Sequence, residues 1–319
     1  MRKILVTGAL GQIGSELVPA LRARYGKDAV IASDVRAMPA GADSLNGPFE
    51  HLDCTKLHQI QEIVRRHDVN MIFHLAALLS AAGEEKPQMA WDLNTGSLYR
   101  VLEVARQYRC ALFFPSSIGA FGPTTPREHT PQDTPQRPTT MYGVTKVAGE
   151  LLCDYYFRRF GVDARGLRLP GLISHVALPG GGTTDYAVHI FYQAVRYQHY
   201  TCFLRADTQL DMMYMPDAID AIIQLMEADC SKLRHRNAFN VTGMSITPED
   251  LSREICKHIP GFVIDYEVDP VRQAIADSWP RSLDDTAARS EWGWNPMYDL
   301  SWMTKDMLDT LRTRLKPTR

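Results

Sequence analysis

A short apolar run, Ile4-Leu5-Val6, leads directly into Thr7-Gly8-Ala9-Leu10-Gly11-Gln12-Ile13-Gly14, and a helical pattern continues to residue 24. No other stretch of the chain restricts its fold as strongly. Gly8, Gly11 and Gly14 permit a tight turn, close approach of a phosphate to backbone N–H groups, and close packing of helix on strand. The start of the helix adds partial positive charge where Gln12 and Ile13 stand. The segment therefore predicts a strand–turn–helix unit that cradles the pyrophosphate of a dinucleotide.

The pattern then repeats. Apolar runs at residues 29–33, 71–75 and 111–115 alternate with amphipathic stretches. Alternating strand and helix, joined by right-handed crossovers, predicts an α/β fold with a doubly wound, Rossmann-like parallel sheet. After Arg168 the alternation breaks. A glycine-rich loop follows at residues 179–184, helices are expected at 187–197 and 218–226, and a strand at 238–241. Thr247-Pro248-Glu249-Asp250 reads as a helix start, and the rest reads as mainly helical. This divides the chain into a dinucleotide-binding domain, residues 1–172 and 208–242, and a smaller C-terminal α/β substrate lobe, residues 173–207 and 243–319.

Two helices carry apolar faces of helical period: Leu98, Val101, Leu102 and Ala105 on one, and Ala148, Leu151, Leu152 and Tyr155 on the other. Further large groups (Tyr99, Val104, Tyr108 and Tyr156) exceed what one buried face needs, so a homodimer formed through these helices is expected.

Lys plus Arg number 35 and Asp plus Glu 37, which gives no electrostatic reason to expect nucleic acid or an anionic membrane as partner. The 6 cysteines form no C-x-x-C pair and no histidines stand at zinc spacing, so no metal site is expected. The N-terminal apolar run is too short for a secretion signal, and a cytoplasmic location is expected. Asn240-Val241-Thr242 fits a glycosylation sequon, which without a secretion signal reads as chance.

Asp34 ends the second predicted strand about twenty residues beyond the glycines, where a carboxylate accepts from ribose hydroxyls and repels a 2′-phosphate. NAD is therefore expected over NADP, although Arg36 stands nearby and an arginine accommodates that phosphate. Asp53 follows the next strand and is positioned for an adenine amine. Tyr142 and Lys146 stand four apart at a helix start, on one face. An adjacent ammonium favours the phenolate, as does an oxidised nicotinamide ring, and a shift of about three units from pH 10 needs about 4 kcal/mol, which two close cations in a semi-buried cleft supply. Tyr142 is then a general base for an alcohol. Ser117, at the end of a predicted strand, supplies a hydroxyl at the sheet edge where α/β ligands bind.

In their order and spacing these residues, with His74-Leu75-Ala76-Ala77 and Asn94, resemble the extended short-chain dehydrogenase/reductase family over nearly the whole chain. The resemblance implies that Tyr142 is the base, that Lys146 holds the nicotinamide ribose and lowers the tyrosine pKa, and that Ser117 orients the substrate hydroxyl. It also implies cofactor contacts from Leu75, Ala76, Ala77 and Asn94. Within that family, Leu78-Leu79-Ser80-Ala81-Ala82-Gly83-Glu84, Arg168-Leu169-Pro170-Gly171, residues 180–186 and Ser278-Trp279-Pro280 look like the short-chain type of L-threonine 3-dehydrogenase. By that likeness Ser80, Thr183 and Thr184 surround an amino-acid substrate and Trp279 closes the pocket.

The implied reaction is oxidation of L-threonine at C3 to 2-amino-3-oxobutanoate with hydride transfer to NAD. Two alternatives stand beside it: an NDP-sugar epimerase or dehydratase with bound NAD, and a non-catalytic NAD-binding sensor. The stretch Leu-Pro-Gly-Leu-Ile after Arg168 departs from the epimerase pattern. A sensor needs no base, so the Tyr142–Lys146 pair argues against it.

Overall fold

The computed structural model describes residues 2–38 and 46–315. The last four residues of the expected C-terminal lobe, 316–319, lie outside them. The chain opens with β1 (Ile4–Thr7), α1 (Gly14–Tyr25), β2 (Val30–Asp34), β3 (Phe49–His51), α2 (Leu57–Arg66) and β4 (Met71–His74). It continues through α3 (Ser80–Glu85), α4 (Pro87–Ala90), a π turn (Trp91–Thr95), α5 (Gly96–Tyr108), β5 (Ala111–Ser117), α6 (Met141–Phe160), β6 (Ala164–Leu169) and β7 (Gly171–Ile173). Seven strands form one sheet in the order β10-β6-β5-β4-β1-β2-β3, with β10 at Phe239–Asn240. Every pairing in it is parallel. The strands β1, β2 and β4 are buried at every position, as a parallel sheet covered on both faces requires. The chain runs from β1 outward to β3, then returns to β4 and builds the other half. The order reverses between β1 and β4, and a ligand crevice is expected beyond their carboxyl ends.

The remaining elements are α7 (Tyr186–Tyr197), β8 (His199–Cys202), β9 (Leu210–Tyr214), α8 (Met215–Glu227), β11 (Met244–Ile246), α9 (Pro248–His258), β12 (Val263–Tyr266), α10 (Pro270–Asp277), α11 (Thr286–Trp292) and α12 (Leu300–Arg314). The sequence reads as mainly helical beyond residue 245, yet two small sheets form there and around it: β11-β9-β7 and β12-β8. Strands of three or four residues carry too little alternation to announce themselves. The expected helix start at Thr247 is present. Its hydroxyl accepts from Asp250 N at 3.0 Å, and Asp250 returns the bond to Thr247 N at 3.0 Å.

Core packing links the two parts. In β9, Met213 joins the cluster built on β1 and β2, whereas Leu210, Met212 and Tyr214 join the cluster around α7 and α12. Ala288 and Trp294, late in the chain, belong to the first cluster. Asn240 of the sequon is fully buried, and its amide donates to the Thr130 and Asp284 carbonyls.

The expected core face of α6 needs correction. Leu151 is 63% exposed and Tyr155 54% exposed. The face turned inward carries Tyr142, Lys146, Gly149, Glu150, Cys153 and Tyr156. Gly149 explains the rotation: a Cβ there would lie 2.4 Å from the Phe114 ring, so the helix approaches β5 through its glycine and polar groups. The α5 face packs as expected, with Leu98, Val101, Leu102 and Ala105 buried, while Tyr99 is exposed.

Glu16, in the first turn of α1, has a buried carboxylate oxygen without a hydrogen-bond partner. Burial pushes its carboxyl up to about 7, with Arg314 of α12 opposing. A folded-state pKa raised above the unfolded value stabilises at low pH, and that contribution is lost as pH rises toward 7. Glu16→Gln abolishes this term. The variant's thermal midpoint is expected to gain on the wild type between pH 5 and pH 8, and parallel midpoints across that range would refute the assignment.

Candidate active site

A cleft of about 940 Å³ runs along the carboxyl edge of the large sheet, past the switch point between β1 and β4. Gly8, Gly11, Gln12, Ile13 and Gly14 form one wall. Gly8 has φ +66°, and a Cβ on it would meet Ala76 N at 2.9 Å. A Cβ on Gly14 would lie 2.5 Å from the Gly8 carbonyl oxygen. The turn is thus packed backbone to backbone, and the N–H groups at the head of α1 face the cleft, as a diphosphate requires.

At one end stand Asp34 and Asp53. Asp34 Oδ2 accepts from Leu10 N at 3.0 Å, and Oδ1 accepts from Arg36 N and Nε, each at 3.0 Å. Burial disfavours the Asp34 carboxylate, but the hydrogen bonds from Arg36 and Leu10 outweigh it and hold the carboxyl below its usual range. Arg36 is therefore folded onto Asp34 rather than turned outward toward a 2′-phosphate. Asp53 Oδ1 accepts from Thr55 N at 2.9 Å and from its hydroxyl at 2.7 Å.

Leu75, Ala76 and Ala77, following β4, form the floor. Asn94 is the expected cofactor residue that does not line the cleft. It sits in the π turn, where its Oδ1 accepts from Leu78 N at 2.7 Å and its Nδ2 donates to Leu78 O at 3.0 Å and Thr145 Oγ1 at 3.1 Å. Its amide is spent on holding the floor against α6.

At the other end β5 and α6 bring Ser117, Tyr142 and Lys146 together. Thr140 caps α6 by accepting from Gly143 N at 3.1 Å, which fixes the first turn and with it Tyr142. Ser117 Oγ accepts from Gly119 N at 3.1 Å and stands near enough to the Tyr142 phenol to favour its ionised form. Lys146 Nζ donates to Pro115 O at 2.6 Å and lies 5.3 Å from the centre of the Tyr142 ring. The sequence predicts a phenol made acidic by two cations, this lysine and an oxidised nicotinamide. The protein's own groups do otherwise: burial pushes Tyr142 up to about 12, against the Ser117 hydrogen bond. Burial also draws Lys146 down to about 8, with Glu150 opposing. A lysine whose nearest bond is to a neutral carbonyl does not by itself offset the desolvation of a phenolate.

Ser80, Thr183, Thr184 and Trp279 complete this end. Ser80 Oγ lies 3.2 Å from Thr183 Oγ1 and accepts from Thr183 N at 3.2 Å, so the glycine-rich loop is tied to the start of α3. Asp185 also lines the cleft, unannounced by the sequence motifs, and accepts from Gly181 N at 2.9 Å and Gly182 N at 2.7 Å. An Asp four residues after a glycine pair, at a helix start, was the available signal.

Residues 4–242 match the NAD dependent epimerase/dehydratase family. The chain belongs to it. Its cofactor is NAD, and the Gly8–Gly14 cradle and the Asp34–Arg36 arrangement fit that group. The chain is 58% identical over 316 residues to an uncharacterized epimerase/dehydratase of Staphylococcus saprophyticus, covering 99% of both. Among solved structures it is similar to an L-threonine dehydrogenase from Clostridium difficile (56% identity, TM-score 0.96, 98% of both chains). It is also similar to the holo form of an L-threonine dehydrogenase from Cupriavidus necator (52%, TM-score 0.94, 97% of this chain and 99% of that one). A further similar structure, from a metagenome, is a monomeric L-threonine 3-dehydrogenase (46%, TM-score 0.94, 98% of this chain and 100% of that one). Among the described residues no helix is long and apolar enough to cross a membrane.

Gly14→Ala forces a methyl group against the Gly8 carbonyl and the Ala9 backbone. The turn must open, and NADH affinity read by fluorescence titration is expected to fall by about five- to 150-fold, as overpacking of about one to three kcal/mol implies. Unchanged affinity would show that the turn yields without cost.

Proposed function

We propose that the enzyme oxidises the C3 hydroxyl of L-threonine, yielding 2-amino-3-oxobutanoate. The observation that carries this reading is the meeting of Ser117, Tyr142 and Lys146 with Ser80, Thr183 and Trp279 at one end of a dinucleotide cleft. NAD, when bound, supplies the hydride acceptor. Tyr142 removes the hydroxyl proton, and Ser117 donates to the oxygen on which negative charge grows. Lys146, held by Pro115 O beneath the tyrosine ring, adds positive charge on the side away from the substrate. The cationic nicotinamide adds a second positive charge, and both are needed because burial alone keeps the phenol near 12. Ser80, Thr183, Thr184 and the N–H groups of the glycine-rich loop offer donors to the substrate carboxylate. Trp279 is 4% exposed and packs over Gly119 beside the tyrosine ring, where it keeps water from the reacting oxygen.

The direct test is NADH formation from L-threonine. Tyr142→Phe is expected to lower kcat roughly 10²- to 10⁴-fold with NAD affinity changed less than about threefold. Turnover of a nucleotide sugar in place of threonine would move the reading to the epimerase chemistry. Turnover unaffected by Tyr142→Phe would remove the phenol from the reaction.

The protein is further proposed to act as a homodimer. Tyr99 on α5 and Leu151, Tyr155 and Phe160 on α6 are all at least 41% exposed, and the rings of Tyr155 and Phe160 lie 5.8 Å apart. An apolar patch on two neighbouring helices fits a self-complementary four-helix contact. Light scattering at micromolar concentration is expected to give twice the chain mass, and Leu151→Glu with Tyr155→Glu to halve it. A wild-type chain of single mass would align it with its monomeric relative.

A further inference from the structure

Behind the tyrosine and lysine, on the same helix face, lies a buried carboxylate that does not line the cleft. Glu150 is 4% exposed. Its Oε1 accepts from the Ser116 hydroxyl and from Arg168 Nε at 3.1 Å. Its Oε2 accepts from Arg168 Nη2 and Gln136 Nε2, both at 2.9 Å. Arg168 is itself buried and also donates to Gln132 O at 2.7 Å and Asn240 Oδ1 at 3.1 Å.

The register gives this pair its meaning. Residues 142, 146 and 150 succeed one another at single-turn spacing on α6, and each stands by one of three consecutive residues of β5. Tyr142 meets Ser117, Lys146 meets the Pro115 carbonyl, and Glu150 meets Ser116. Glu150 itself does not line the cleft, yet it shares its strand and helix with the residues of the other two rungs, which do. A buried ion pair does little for stability that apolar groups of the same volume would not do.

We propose that Glu150 is a positioning residue for the reaction, fixing the strand end that carries Ser117 and setting a buried carboxylate one helical turn from the Lys146 ammonium. The inference rests on the roles assigned to Tyr142 and Lys146 above. The charged and titratable groups around the lysine are few. On α6 they are Tyr142 and Glu150. On β4 His74 faces it, driven down to about 3 by burial and so neutral. On β5 only the Pro115 carbonyl and the Phe114 ring, 4.9 Å away, approach it. Glu150 in turn faces Arg168 on β6 and neighbours Cys153 and Asp154 on α6, whose own acidity its charge suppresses along with burial. Burial brings Lys146 down to about 8, and Glu150 is the charge that opposes it. Without that charge the ammonium loses its proton at lower pH, and the tyrosine loses a cation over the pH range in which it must ionise.

The test reads Lys146 directly, in protein carrying ¹³Cε-lysine and no cofactor. Its resonance is identified by its loss in Lys146→Met. Glu150→Gln is expected to lower the Lys146 midpoint by about one pH unit, and Glu150→Asp, which keeps the charge, to leave it within a few tenths. Because Glu150→Gln leaves Arg168 without its partner, Glu150→Gln/Arg168→Gln is measured beside it, with a smaller shift in the same direction expected. Ser116→Ala leaves the ion pair in place and is expected to lower kcat about tenfold with KM and thermal midpoint little changed. A folded Glu150→Gln or double variant with an unmoved Lys146 midpoint overturns the electrostatic half of the proposal. An unchanged kcat in Ser116→Ala overturns the positional half. The titration uses no substrate, so failure of the wild type to oxidise threonine would sink the functional reading without altering its result.

Discussion

The contact between the backbones of Gly8 and Gly14 governs the geometry of the whole cleft. With no Cβ on either, α1 starts close against β1, and the segment after β4 lies against the turn at Ala76. That closeness places the switch point of the sheet, the head of a helix and the floor at residues 75–77 around one crevice. Any side chain at Gly14 would pry α1 from the turn and move the N–H groups away from where a diphosphate sits. The position of the cofactor, and so of everything measured from its nicotinamide end, depends on this packing.

At the far end of the crevice the physics is electrostatic. The protein buries a phenol and an amine side by side and in doing so disfavours the charged form of each. Left there, such a pair would be inert near neutral pH. What relieves it is asymmetric. The lysine has a carboxylate one turn away to favour its cation, while the tyrosine has only a hydroxyl donor. In the proposed mechanism the phenol would stay protonated until a further positive charge arrived beside it, and proton removal would then depend on the oxidised cofactor.

Much of this is legible in the sequence. The glycine turn, Asp34 and the strand ends declare themselves because each depends on local backbone chemistry: a φ only glycine adopts freely, a carboxylate at a strand terminus, an apolar run. The placement of Tyr142, Lys146 and Ser117 in one cleft comes from a helix and a strand whose order is readable. Three things are not. The inner face of α6 is hidden because Leu151 and Tyr155 are apolar, while the true inner face carries glycine and buried polar groups, so hydropathy points the wrong way. Asn94, a cofactor contact by the family resemblance, lies in a π turn and bonds Leu78 and Thr145, partners that the sequence does not announce. Glu150 gives no signal at all, since its partner Arg168 lies on β6, a separate element, and only tertiary pairing reveals the charge as buried.

Shared residues also tie the cluster around β1 and β2 to the cluster around α7 and α12. Successive residues of β9 serve different cores, as a strand sandwiched between two packed bodies must. Trp279, from the C-terminal half, reaches Gly119 beside Tyr142, and the Gly181–Thr183 stretch is anchored to Ser80 of the first half. Each lobe therefore contributes groups that the other needs at the reacting end. A change in how the lobes meet would alter the substrate end first, while the glycine turn, built wholly within the first lobe, would hold its shape. β9 and the Ser80–Thr183 tie are thus the points at which packing around the glycine turn meets packing around the other end of the cleft.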